Sequence, residues 1–125
     1  MTREVCFLIG RGGAVLWGDV SASPASLADS RARWEAIWEW RAELEEIAHS
    51  HPHGPLGFSR EDETTMRALV AGLGTQVRFS VVAPDGMLRR AGTTEEQVAP
   101  EPWWAELLRL ASGMPPAAAS NGAGD

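Results

Sequence analysis

The histidines of this chain are clustered: all three lie within five positions, at His49, His51 and His53. In an extended strand, residues i and i+2 point to the same face, so His49 and His51 can present two imidazoles side by side. Pro52 then ends the predicted strand, and Asp62 follows in the first turn of the next predicted helix. Two nitrogens and one carboxylate oxygen match a catalytic zinc site, which has three protein ligands and an open fourth position.

A second interpretation of the same residues needs no metal. Histidine pairs spaced by two also occur by chance on surface loops. Ser59, with Asp62 three residues later, is also a helix-capping pattern. A carboxylate at the right place favours the metal, but residue types alone leave both interpretations open. The third histidine, His53, is interpreted as an ordinary loop residue.

The spacing of these residues resembles the JAMM motif of the JAB1/MPN/Mov34 metalloproteases. The matching pattern is His49-x-His51-Pro52, six further residues, and then Ser59-x-x-Asp62. The segment 4–10, which reads EVCFLIG, resembles the early strand of the family, with Phe7 where the family usually has glycine. The resemblance covers residues 4–92 and is strongest to compact prokaryotic members.

The resemblance implies a role for each residue of the pattern. His49, His51 and Asp62 would ligate one Zn²⁺ per chain. Glu4 would be the general base that takes a proton from the zinc-bound water and delivers it to the leaving amine. Ser59 would hydrogen-bond the oxyanion. Zinc lowers the pKa of its bound water to roughly 7, so a nearby carboxylate can complete its activation.

The glutamates close to the histidines in sequence are poorer candidates for the base. Glu45 has the strand parity of the metal histidines, but four residues of strand span roughly 13 Å. Glu46 has the opposite parity, and Glu61 and Glu63 suit the N-terminal dipole of the following helix. A base from a distant strand is therefore needed, and Glu4 is the best candidate.

By the same resemblance, the expected activity is that of a zinc-dependent metalloprotease or isopeptidase. Its substrate would be a ubiquitin-like or sulfur-carrier protein, cleaved after the C-terminal glycine. The alternative is a non-catalytic MPN-type binding or scaffold module, which the complete ligand set disfavours. Some bacterial proteins with a similar motif are associated with DNA repair. The net charge of −6 and the lack of a basic stripe disfavour direct contact with nucleic acid.

Length and composition indicate a single domain. With 125 residues, of which 44% are hydrophobic, the chain is long enough for one core. Cys6 is the only cysteine, which excludes an intrachain disulfide and a multi-cysteine zinc site. The sequence has no apolar run of about 18 residues, and its first residues are unlike a signal peptide. We therefore expect a cytoplasmic protein with no membrane partner.

The pattern along the chain predicts an α/β fold in the order β-β-α-β-α-β-β-α. The predicted strands are 5–9, 14–20, 44–48, 77–83 and 87–91, and the predicted helices are 31–43, 59–74 and 103–110. The first two and the last two strands form hairpins, so we expect a mixed sheet flanked by helices. Segments 21–30 and 93–102 are predicted loops. The resemblance implies an MPN/JAB-like domain over residues 1–112, with cytidine-deaminase-like layering, and a disordered tail over 113–125.

Six tryptophans are many for a chain of this length. Trp34 and Trp38 share one stripe of a predicted helix, so we expect them to face the core. Trp40 and the adjacent Trp103 and Trp104 cannot all point inward. An exposed tryptophan can anchor a contact with a partner or with a second copy in a homodimer.

Overall fold

A computed structural model of the chain describes residues 2–19, 31–74 and 76–114. Within these ranges the protein is mixed α/β, with six β-strands in one sheet and three α-helices. The strands are β1 Cys6–Gly10, β2 Val15–Asp19, β3 Leu44–Ser50, β4 Arg78–Ala83, β5 Gly86–Ala91 and β6 Thr94–Gln97. The helices are α1 Arg31–Trp40, α2 Arg60–Leu73 and α3 Trp103–Ser112.

The strands lie in the order β2-β1-β3-β4-β5-β6. Neighbouring strands are antiparallel except β3 and β4, which are parallel and are joined through α2. Both expected hairpins are present, with Leu8 opposite Trp17 in the first and Val82 opposite Met87 in the second. The prediction of a mixed sheet with two hairpins is confirmed.

Helices cover both faces of the sheet, and β1 contributes to the core on each side. Cys6 and Leu8 pack into the core cluster that contains residues of α1 and α2, whereas Phe7 and Ile9 pack into the cluster of α3. Alternate side chains of a strand point to opposite faces, so a strand covered on both faces has no polar positions. This burial explains why β1 appears in the sequence as a continuous apolar run.

The strand β3 is longer and more central than its sequence suggests. The predicted segment 44–48 extends to Ser50, and the strand pairs with β1 on one side and with β4 on the other. Ala48 and Ser50 are fully buried. Pairing on both sides supplies the backbone hydrogen bonds that the mixed sequence does not predict, and it places His49 inside the strand.

The predicted polar loop 93–102 is wrong in part, because it contains β6. This strand pairs antiparallel with β5 at the edge of the sheet. All four of its side chains are exposed, so no alternation of apolar and polar residues marks it in the sequence.

The prediction for the tryptophans of α1 is wrong. Trp34 is 37% exposed and Trp38 is 57% exposed, whereas Arg33 and Ile37 are buried. The burial of Arg33 is balanced by its guanidinium pairing with Asp19 of β2 at 2.9 Å. An ion pair between distant segments therefore sets which face of the helix points inward, and apolar periodicity does not reveal it.

The remaining differences lie at element ends. Helix α1 ends at Trp40 rather than at residue 43. Helix α3 buries Trp104, exposes Trp103, and ends at Gly113 in the left-handed region with φ 85°. Of the predicted tail, Met114 is buried, and residues 115–125 lie outside the described residues, as does the predicted loop 21–30. No helix in the described ranges is long and apolar enough to cross a membrane.

Candidate metal centre

Three side chains converge where β3 ends and α2 begins. His49 is the penultimate residue of β3, His51 follows directly after the strand, and Asp62 lies in the first turn of α2. The parallel pairing of β3 and β4 requires a crossover, and α2 provides it, so its first turn returns to the end of β3. The structure thus brings together the three metal ligands predicted from the sequence.

The distances within this cluster suit a metal ion. The Nε2 atoms of His49 and His51 are 3.2 Å apart, and each lies 3.3 Å from Oδ2 of Asp62. A tetrahedral zinc ion with ligands at about 2.0–2.1 Å would separate them from one another by roughly 3.3–3.4 Å. All three side chains are largely buried, so they lie in a fixed arrangement. The cluster can hold a metal ion without rearrangement of the backbone.

The ring of His51 is oriented by the loop that follows it. Its Nδ1 lies 3.1 Å from the carbonyl oxygen of Pro55. A carbonyl oxygen can only accept a hydrogen bond, so Nδ1 carries the proton and Nε2 keeps its lone pair. A backbone carbonyl in this position is a common partner of metal-binding histidines, because it fixes both the tautomer and the ring orientation.

The start of α2 fixes the carboxylate. Ser59 is the N-cap: its Oγ accepts a hydrogen bond from the N–H of Asp62 at 3.0 Å, and its own N–H donates to Oδ2 of Asp62 at 2.8 Å. This reciprocal capping box stabilises the helix end and also holds Asp62 against the histidines. Capping and metal binding are therefore compatible here, although from sequence they are competing interpretations.

The charges of the cluster favour one another. Burial alone would raise the pKa of Asp62, but hydrogen bonds with His49, His51 and the Ser59 N–H outweigh it and hold that pKa well below its usual range. The hydrogen bond with Asp62 raises the pKa of His51, against the opposing effect of burial. The negative charge of Glu4 contributes in the same direction. The carboxylate of Asp62 is therefore ionised and available as a ligand at neutral pH.

Glu4 lines the same cleft as His49 and Asp62. It lies just before β1, and both of its neighbours are held by hydrogen bonds. The N–H of Arg3 donates to the carbonyl of Ser112 at 2.9 Å, and the N–H of Val5 donates to Oγ of Ser50 at 2.9 Å. The segment before β1 is thereby attached to both α3 and β3.

The other residues considered from the sequence lie elsewhere or do different work. His53 is exposed, and its Nε2 lies 2.7 Å from the Thr2 hydroxyl, outside the cluster. Glu46 is buried on the opposite face of the sheet, where it pairs with Arg89. Cys6 lies opposite His49 in the β1–β3 pairing, and burial raises the pKa of its thiol to about 12. The thiol is therefore neither a nucleophile nor a ligand at neutral pH.

Sequence reasoning missed two residues that support the cluster. Ser50 lies between the two metal histidines and, by strand parity, points to the other face, where its hydroxyl holds Val5. Phe58 precedes the N-cap, and its ring centroid lies 6.3 Å from that of His49. The parity of Ser50 was readable from the sequence, but its partner was not, because Val5 is 45 residues away.

Comparison with known proteins adds no relative. No known family model matches the chain, and no curated protein matches it significantly.

Proposed function

We propose that the chain is a zinc-dependent metallopeptidase of the JAMM type. In this proposal, it hydrolyses the peptide or isopeptide bond after the C-terminal glycine of a ubiquitin-like or sulfur-carrier protein. The observation that carries the proposal is the close approach of His49, His51 and Asp62 in a cleft that Glu4 also lines. Two histidine nitrogens and one carboxylate oxygen leave a metal ion with an open position, as catalytic zinc sites require.

Zinc, when bound, supplies Lewis acidity, which polarises a carbonyl and makes water acidic enough to lose a proton near pH 7. The protein's own groups carry out the proton transfers. In the proposal, Glu4 accepts a proton from the attacking water and passes it to the leaving amine. Its carboxylate is placed for this by the hydrogen bonds that hold Arg3 and Val5.

Ser59 is proposed as the group that stabilises negative charge on the attacked carbonyl oxygen. A hydroxyl has one donor and two acceptor positions. The oxygen of Ser59 accepts the N–H of Asp62, which leaves its proton to donate to another group. Ser59 is exposed, so a substrate can reach it. A hydrogen bond that strengthens as charge develops contributes to catalysis.

A finer assignment of the fold and the setting belongs to the same proposal. The mixed sheet, with α1 and α2 on one face and α3 on the other, is compatible with an MPN/JAB-like domain. The net charge of −6 is unfavourable for a nucleic-acid partner. A cytoplasmic protein substrate with a flexible glycine-ended tail suits the cleft, because an extended chain can reach a largely buried metal site.

The experiment combines metal analysis with a cleavage assay. The wild-type protein, Glu4→Gln and His51→Ala are compared for bound zinc, iron and manganese, and for cleavage of ubiquitin-like and sulfur-carrier proteins fused after Gly-Gly to a reporter peptide. We expect about one zinc per chain in the wild type and in Glu4→Gln, and none in His51→Ala. Loss of the base should reduce turnover by about 10²- to 10⁴-fold.

The matched control is Glu39→Gln, which changes an exposed carboxylate on α1 and should behave as the wild type. Wild-type cleavage by Glu4→Gln would show that Glu4 is not the base. A folded protein that binds iron, or no metal, would refute the zinc peptidase.

The second candidate is a non-catalytic MPN-type binding module. It is favoured by two exposed tryptophans, Trp38 at 57% and Trp103 at 62%, which are typical anchors of protein interfaces. The same assay separates the two candidates: the binding module predicts a stable fold without stoichiometric zinc and without cleavage of any fusion.

A further inference from the structure

The metal cluster opens onto a cleft of about 620 Å³ between α1 and α2. His49 and Asp62 lie in its wall together with Glu4, so the cleft and the candidate metal centre are one continuous space. Binding sites for small groups usually have volumes of a few hundred Å³ and a mostly apolar lining with a few polar groups. Neither the ligands nor the base explains why the space extends beyond the cluster.

The part of the cleft that extends away from the metal ligands is apolar. Its lining there shares aliphatic or aromatic character and comes from both helices and the sheet: Trp34, Ile37, Ile47, Met66, Leu69 and Phe79. Arg33 also lines the cleft, but its guanidinium pairs with Asp19, so it adds little net charge. A charged side chain placed there would lose its hydration without an opposite charge to replace it.

Carboxylates are the other charged groups on the cleft: Glu4, Glu61 and Asp62. They disfavour an acidic occupant by repulsion. Shape, lining and charge therefore select an uncharged apolar group that reaches inward while the chain it belongs to passes the metal ligands.

We propose that this cleft is a specificity pocket that receives an apolar side chain, such as that of leucine, from the residue next to the cleaved bond. The inference rests on the proposed function and adds to it a substrate preference that the metal ligands do not provide. Burial of an aliphatic side chain of this size favours binding by at least about tenfold over glycine.

The test uses two metal-binding probes on the zinc-loaded protein: N-acetylglycine hydroxamate and N-acetylleucine hydroxamate. The hydroxamate group anchors both probes at the metal, and they differ only in the side chain. Isothermal titration calorimetry should show the leucine probe binding at least about tenfold more tightly than the glycine probe.

Two neighbouring threonines of α2 provide a matched pair of variants. Thr65 lines the cleft, whereas Thr64 is exposed and its hydroxyl donates to the carbonyl of Arg60. Thr65→Phe should fill the pocket and bring the affinity ratio of the two probes close to one, with the glycine probe still bound. Thr64→Phe should keep the wild-type ratio.

The outcomes separate this proposal from the one it rests on. Equal affinity of the wild type for both probes, with clear binding of each, overturns the pocket and leaves the metal centre standing. An unchanged preference for the leucine probe in Thr65→Phe also places the side chain outside this cleft. Failure of both probes to bind counts against the zinc centre itself and against the pocket with it.

Discussion

The hydroxyl of Ser50 accepts a hydrogen bond from the N–H of Val5 at 2.9 Å, and the N–H of Ser50 donates to the carbonyl of Val5 at 3.0 Å. Ser50 lies between the two histidines of the metal cluster, and Val5 follows Glu4. This pair of bonds therefore joins the segment that carries the proposed base to the strand that carries two ligands. Ser50 is fully buried, so water cannot replace its hydroxyl.

Replacement of Ser50 by alanine should destabilise the fold. The change leaves the buried N–H of Val5 without its partner, which costs about 1–3 kcal/mol. Denaturant unfolding measures the difference. The control is Ser80→Ala, because the Ser80 hydroxyl is also buried but has no hydrogen-bond partner among the described residues. Similar losses in both variants would show that the Ser50–Val5 bond adds no stability.

The two histidines that follow β3 should differ in their importance for metal binding. Removal of a ligand in His51→Ala should lower zinc affinity more than about a hundredfold, since even the loss of an outer-shell partner costs 10- to 100-fold. His53→Ala should keep the wild-type affinity, because His53 contacts Thr2 at the surface instead of the cluster. A chelator competition assay measures both values. Zinc loss in His53→Ala would contradict the assigned ligand set.

Zinc affinity should fall as the pH is lowered from about 8 to 5.5, and the fall should begin above the ordinary histidine pKa of about 6.5. Metal binding needs neutral imidazole, and the hydrogen bond with Asp62 raises the pKa of His51 in the metal-free protein. Protons therefore compete with zinc as soon as the pH falls through this raised value.

Asp62 should not contribute to that loss, since its pKa lies well below its usual range and it stays ionised throughout. Chelator competition at a series of pH values gives the profile, and His53→Ala should reproduce it. An affinity that stays constant down to about pH 6 would contradict the raised pKa.

The adjacent tryptophans of α3 should differ sharply in their effect on stability. Trp104 is 1% exposed and packs in the core under α3, so Trp104→Ala should cost about 3–5 kcal/mol. Trp103 is 62% exposed, and its Nε1 donates one hydrogen bond to the carbonyl of Gly13, so Trp103→Ala should cost less than about 1.5 kcal/mol. Thermal or denaturant unfolding compares the two. Equal losses would place both rings in the core.

Much of the candidate metal site is predictable from the sequence, because its ligands lie within one short segment. His49 and His51 share a face through strand parity, and Ser59 marks the helix start that brings Asp62 back to them. Each of these inferences depends on local backbone geometry, which nearby residues determine. The same holds for the two hairpins, whose turns lie between adjacent strands.

The features that could not be predicted depend on contacts between distant segments. Apolar periodicity placed the tryptophans of α1 in the core, but the pairing of Arg33 with Asp19 turns Trp34 partly outward, to the wall of the cleft. The edge strand β6 is formed by pairing with β5 and not by its own apolar pattern.

The sequence by itself determined which atoms could bind a metal and that they lie on one side of a strand and at one helix start. Only the tertiary structure decided that Glu4 shares their cleft, that Ser50 holds Val5, and that an apolar space continues beyond the ligands. The physical reason is the range of the interactions. Strand parity and helix capping depend on residues a few positions apart, whereas register, helix rotation and cavities depend on packing among segments that the sequence separates.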